Sequence, residues 1–374
     1  MDDQVRNLIT LVQANCHISD ARHAGLFSLC GLLLRLRDLF KWEQEMNPWE
    51  EPEPSILMEW VDRREDLWES LLQEEFHLIP TGEGDQDPFD ARFISAALKP
   101  SGLVYGAGYV LGMKPSFFLG RLGESHRMDG LHVDVVDREL ARDIFATPIM
   151  RQGDRIVARR SVMLFALWDL ILEMRPSARE ALKFALAQYG LDVERVRRDS
   201  GSLGPELVRI ADGEMDTWIH HEVGEYHENI FPGEVWHEIV STYCGTPIEI
   251  YARVVKDLLA DTHPQGLLGH IVRHRIKSSL GFYVANARAF MRLLFPEIHG
   301  AFGRFLRGAD WEVIEEARQR GQENGRSRAE HLVALYSQGK EQESGWSRGR
   351  ILSEIIEPLG IMSGFTAEEP DETL

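Results

Sequence analysis

The chain has 374 residues, of which 44% are hydrophobic and 27% charged; 41 Lys and Arg stand against 60 Asp and Glu, a formal net charge of -19. That is the balance of a globular protein with a core, not of a disordered chain. So acidic a surface repels nucleic-acid phosphates and anionic lipid, so neither nucleic acid nor membrane is the expected partner, and the partner is a small molecule or another protein.

Cys16, Cys30 and Cys244 show no paired spacing, which speaks against a disulfide framework and against a four-cysteine metal site. The opening "MDDQVRN" lacks the basic start and apolar run of a signal peptide. The most apolar window, 161–174, is too short to span a bilayer and contains Asp169. These features point to a cytoplasmic protein.

In chain order, Val5, Leu8, Ile9 and Val12 recur at helical spacing. A long helix is expected next, with Ser19 or Asp20 as N-cap and a stripe of Leu26, Leu29, Leu33, Leu36 and Phe40. "NPWEEPEPS" (47–55) breaks the pattern, and 56–76 reads as another amphipathic helix. From 100 the texture turns to Gly, Val, Tyr and Phe, which predicts strands near 103–111, 116–122 and 131–136 in antiparallel hairpins. A further hairpin is expected at Gly153-Asp154, with 155–159 as its second flank. From 161 the pattern predicts helices over 161–174, 177–190, 205–230, 233–242, 247–261, 265–294, 296–306 and 309–320. Prolines fall at or near these boundaries, where they are tolerated. Residues 321–349 are polar and read as a weaker helix or mobile segment, and the acidic tail as disordered.

The fold class expected is α+β, mainly α-helical, with a small antiparallel sheet inserted in the N-terminal half. The expected organisation is an α+β domain over 1–160, a helical domain over 161–320 and a polar C-terminal segment over 321–374.

One stretch concentrates chemistry: "DTWIHHEVGEYHENIFPGEVWHEIVSTYCG" (216–245) holds His220, His221, His227 and His237 among five glutamates. On a helix, Met215, Ile219, Val223, Tyr226 and Ile230 share one face, and Glu214, His221, Glu225 and Glu228 the opposite one. After a Phe-Pro-Gly turn, Glu234 and His237 have the Glu-x-x-His spacing of di-iron and di-manganese bundles. His221, Glu225, Glu228, Glu234 and His237 are therefore the candidate ligands of iron or manganese, with Glu222 and Tyr226 as candidate acid/base groups. "HEVGE" (221–225) offers a second reading, as a zinc hydrolase with His221 and Glu225 as ligands and Glu222 as general base. The last ligand departs from the usual histidine, and Gly224 in mid-helix costs about 1 kcal/mol relative to alanine. In a third reading the same charges form a solvated or interaction face, and the protein is a non-enzymatic scaffold.

Other signals are weaker. His270 and His274 are four apart, and Asp261 and His263 flank a turn. The most basic stretches are 155–160, 194–199 and 270–277, each mixed with apolar positions. No signal for nucleotide or haem is present: "YGAGYVLG" (105–112) lacks the third glycine of a dinucleotide fingerprint and the helix that would follow.

The stretch "CHISDARHAGLFSLCGLLLRLRDLFKWE" (16–43) resembles the N-terminus of an uncharacterised bacterial protein family. The similarity extends to "RIVARR" and "HHEVGEYHE". It implies a bacterial cytoplasmic setting and brings no activity, cofactor or catalytic residue.

Overall fold

A computed structural model describes residues 3–343 and 345–360 and divides the chain into two compact units. The first takes the chain up to Val110 together with Lys114–Asp169 and Ser200–Met215. The second takes Leu111–Met113, Leu170–Asp199 and the chain from Asp216 on. The fold is α+β and mainly helical, with its sheets in the N-terminal half.

The first unit opens with helices α1 (Asp3–His23), α2 (Leu29–Glu43) and α3 (Pro54–Leu71). A small hairpin, β1 (Ile79–Thr81) and β2 (Gly84–Gln86), and helix α4 (Ala91–Leu98) follow. The main sheet is built from β3 (Leu103–Tyr109), β4 (Pro115–Met128), β5 (Leu131–Arg142), β6 (Ile149–Gln152) and β7 (Arg155–Arg159), in the order β3-β4-β5-β7-β6. Every pairing is antiparallel except β5 with β7, which run parallel. Local hairpin patterning does not anticipate that pair, because the β6–β7 hairpin docks as a unit onto the far edge of β5. α1 lays Leu8, Val12 and Cys16 against Tyr105, Phe117, Leu119 and Ala141 of the sheet.

α1 runs through Ser19 and Asp20, so neither caps a helix; both are fully buried on Lys114, itself fully buried. Lys114 Nζ lies 2.9 Å from Asp20 and 3.4 Å from Asp143, and donates to Ser19 Oγ at 3.0 Å. The cap of α2 is Ser28, whose hydroxyl accepts from Gly31 N.

α5 (Arg160–Leu172) follows the sheet. Then come α6 (Arg179–Gln188), α7 (Val193–Arg198), α8 (Gly204–His227), α9 (Gly233–Thr242) and α10 (Pro247–Thr262). The predicted 265–294 helix is three: α11 (Leu267–His274), α12 (Lys277–Asn286) and α13 (Ala289–Leu294). Arg275 takes a left-handed conformation that ends α11. α14 (Pro296–Gly308), α15 (Glu312–Gly339) and α16 (Trp346–Ile351) complete the chain order. α15 continues through the polar stretch after 320, burying Gly321, Gly325, Ala329, Leu332 and Leu335. The acidic tail lies outside the described residues. No helix among the described residues is long and apolar enough to cross a membrane.

Candidate functional site

The residues singled out at 216–245 do not form a metal centre. Among the described residues no group of three or more His, Cys, Asp or Glu side chains is placed to hold a metal ion. The dimetal reading and the zinc reading both fall on this finding, and the geometry gives the reason. His221 Nδ1 lies 2.7 Å from Asp261 Oδ1, and Nε2 lies 3.8 Å from Asp257. Glu225 carries the Lys256 ammonium at 2.6 Å, a cation where the metal would have to sit. Glu228 accepts from the Gln322 side chain at 2.9 Å and lies 3.8 Å from Arg326. Glu234 and His237 are exposed, because α9 turns Ile239 and Val240 inward. The five proposed ligands therefore point toward α10, toward α15 and into solvent.

Of the two proposed acid/base groups, Glu222 is buried and Tyr226 is 45% exposed, its ring against His227. Tyr226 thus leaves the expected apolar stripe, which Met215, Ile219 and Val223 do form. The opposite face is not solvated throughout either: Glu214 is buried there, and so is His220 at its flank. His220 stacks on His270 with ring centroids 3.6 Å apart, and His270 lies 4.4 Å from His274. Stacked rings present faces to one another rather than aiming nitrogen lone pairs at one point, which is unsuited to ligation. Burial, with the neighbouring His220, His274 and Arg273, pushes His270 down to about 4.

His221 behaves oppositely. Burial opposes its charge, but the Asp261 carboxylate, aided by Glu222 and Asp257, outweighs it and holds the imidazolium up to about 10. A base that firmly protonated is a fixed cation tying α8 to α10. Gly224 makes that proximity possible: a Cβ there would lie 2.0 Å from Ala260 O.

A concave site lies in the first unit. A cleft of about 580 Å³ opens between α1, the end of α2, β5 and the start of α5. Ile9 and Gln13 come from α1, Trp42, Glu43, Glu45 and Met46 from α2 and its end, and Ser161 and Phe165 from α5. β5 supplies four consecutive residues, Asp137, Arg138, Glu139 and Leu140. A regular strand presents alternate residues to one side. Here the β4–β5 register shifts three times, between Leu119/Gly120, Arg121/Leu122 and Leu122/Glu124. Those irregularities leave Asp137 and Leu140 without opposite partners, and all four residues of the run line the cleft. A Cβ at Gly123 would meet the Asp137 carboxylate at 2.2 Å, an exposed side chain free to move aside.

Behind this wall is a buried polar network. Glu139 accepts from Arg159 Nε at 2.7 Å and from Ser161 Oγ at 2.9 Å, with Arg142 at 3.4 Å. Although burial opposes ionisation, Arg159 and Arg142 hold Glu139 below the usual carboxylate range. Gln13 meets the end of β5 like a strand partner, donating to Arg142 O at 3.1 Å and accepting from Arg142 N at 3.2 Å. Glu43 accepts from Trp60 Nε1 at 2.8 Å and pairs with Arg64, whose guanidinium also lies against His17. Burial and Arg64 together push His17 down to about 3. Arg142 lies over the Trp42 ring at 5.7 Å. At the mouth, Arg138 pairs with Glu45, and Arg160 lies 3.0 Å from Asp137.

Sequence reasoning missed this cleft. Its trace in the sequence is "DREL", a charged run that the strand prediction treated as the end of β5 and that instead belongs to it.

Residues 7–159 match the N-terminal domain, and residues 164–354 the C-terminal domain, of a family of unknown function (DUF6866). The chain belongs to that family. No curated protein and no solved structure matches it.

Proposed function

We propose that this protein binds a small organic molecule in the first unit's cleft. The observation that carries the reading is the run Asp137–Leu140. Irregular pairing, at some cost in strand regularity, brings four successive β5 residues to the wall of one concavity of about 580 Å³. The volume suits a metabolite-sized ligand, and the walls combine apolar area with fixed polar groups, as ligand sites do. Ile9, Trp42, Met46, Leu140 and Phe165 provide the apolar contact. Glu139, buried and bonded to Arg159 and Ser161, braces the wall from behind, so the cleft needs no rearrangement on binding.

The free thiols Cys16, Cys30 and Cys244 suit a reducing, cytoplasmic compartment, and the charge of -19 disfavours nucleic acid as the ligand.

A fragment screen by ligand-observed nuclear magnetic resonance tests the reading. Binders are expected for the wild type and are expected to be lost from Met46→Trp, which fills the cleft, with folding checked by circular dichroism. Binders that survive the filled cleft, or no binders at all, would refute it.

A further inference from the structure

The chain segregates its charges. Residues 262–309, which span α11 to α14 in the second unit, hold seven Lys and Arg and a single carboxylate, Glu297, in a chain of net charge -19. Arg273, Arg275, Lys277, Arg292, Arg304 and Arg307 are exposed, and among the described residues none of the six is in a salt bridge. Arg273 donates to the Pro264 carbonyl, and Glu297 accepts from Asn324. Neighbouring helices do not supply the missing carboxylates. On α15, packed against α14, Glu315 and Glu316 are paired with Arg318 and Arg320, leaving Asp310 and Glu312 at the rim. α6, packed against α12, adds Arg179 and Lys183 against Glu180. The basic stretch 155–160 is the opposite case, with Arg155, Arg159 and Arg160 each on a carboxylate. Exposed bases kept apart from carboxylates repel one another and forgo the pairing that interleaved charges would give. Such a face fits an acidic polypeptide.

The chain itself carries the complement. α3, in the first unit, exposes Glu59, Asp62, Glu65, Asp66 and Glu69. Its one exposed base is Arg63, 3.9 Å from Glu59, while Arg64 is buried on Glu43. We propose that the basic face of α11–α14 docks a second copy of this chain through the acidic face of that copy's α3. The two faces differ, so the contact is head-to-tail, and each copy keeps one free face for the next. A nucleic-acid duplex or an anionic membrane would reach past the four helices to the acidic remainder of the surface, which a single helix face does not. At about 0.15 M salt, charges are screened beyond about 8 Å, so local complementarity outweighs the net charge.

Sedimentation velocity tests this. The wild type is expected to associate with rising concentration at about 0.15 M salt, and to lose about tenfold in apparent affinity at about 0.5 M. The basic-face variant is Lys277→Glu, Arg304→Glu, Arg307→Glu; the acidic-face variant is Glu59→Gln, Asp62→Asn, Asp66→Asn, Glu69→Gln. All the altered side chains are exposed, and circular dichroism checks both folds. Each variant alone is expected to be monomeric. An equimolar mixture is expected to form heterodimers, because each variant keeps the face the other lacks. The acidic-face variant separates docking from bulk repulsion: it is less negative than the wild type, so repulsion alone would make it associate more. A wild type monomeric at every salt concentration, an acidic-face variant that associates as well as the wild type or better, or a mixture without heterodimers would overturn the proposal. A monomeric wild type that binds heparin, with binding lost in the basic-face variant, would overturn it in favour of a polyanion on the same face.

Discussion

Replacing Gly224 with alanine sets helix propensity against packing at the crossing of α8 and α10. In an open mid-helix position the change stabilises by up to about 1 kcal/mol. At Gly224 the new Cβ would stand 2.0 Å from Ala260 O and 2.8 Å from Gly266 Cα. Both contacts are with backbone, so no flexible side chain can yield, and restoring ordinary contact requires the two segments to part by more than about 1 Å. That displacement falls between His221, bonded to Asp261 at 2.7 Å, and Glu225, paired with Lys256 at 2.6 Å. Overpacking costs about 1–3 kcal/mol, and weakened hydrogen bonds between charged groups cost about 1.5–3 kcal/mol. Against the propensity gain, Gly224→Ala should destabilise by about 2–4 kcal/mol. Gly300, exposed on α14 with no atom within 4 Å of a built Cβ, is the control and should gain stability on the same change. Urea unfolding measures both, and histidine nuclear magnetic resonance should show His221 moving down toward its ordinary value in Gly224→Ala. A Gly224→Ala protein as stable as the wild type, with His221 unmoved, would refute the close crossing.

His221, raised to about 10 from an unfolded value near 6.5, contributes stability that is fully present below pH 6.5 and is lost as the pH rises toward 10. Urea midpoints from pH 6 to 10 should fall more steeply in the wild type than in His221→Gln; equal slopes would contradict the assignment. Arg159→Met leaves Glu139 buried with only Arg142 and Ser161 and should cost about 3–5 kcal/mol in thermal or urea unfolding. Adding Glu139→Gln should recover part of that loss, and a neutral single variant would show that the network does not brace the cleft wall. Since Asp261 and Lys256 occupy the groups once expected to hold metal, exhaustive chelation should leave the unfolding midpoint unchanged. A loss on chelation that iron, manganese or zinc restored would contradict that.

Periodicity made the helices after 161 and the strand starts at 103 and 131 legible in the sequence, because each depends on neighbours within a turn or a hairpin. What it hid was long-range. The parallel β5–β7 pair depends on where a distant hairpin docks. Ser19 and Asp20 resemble caps in sequence, yet they serve Lys114, 94 or more residues away. The His/Glu stretch suggested ligands because spacing fixes which side chains share a face but not what stands opposite. Opposite His221 and Glu225 stand Asp261 and Lys256, and only Asp261 had drawn notice, as a turn residue. The cleft was hidden because it arises from broken alternation at Asp137–Leu140, and pattern reading takes a break in alternation as the end of a strand.

The most direct measurement is a crystal structure of the protein grown with the tightest binder from the fragment screen. The expected result is the compound in the first unit's cleft, lying along Trp42 and Phe165. Density for it only elsewhere on the protein would contradict the assignment of this cleft as the binding site.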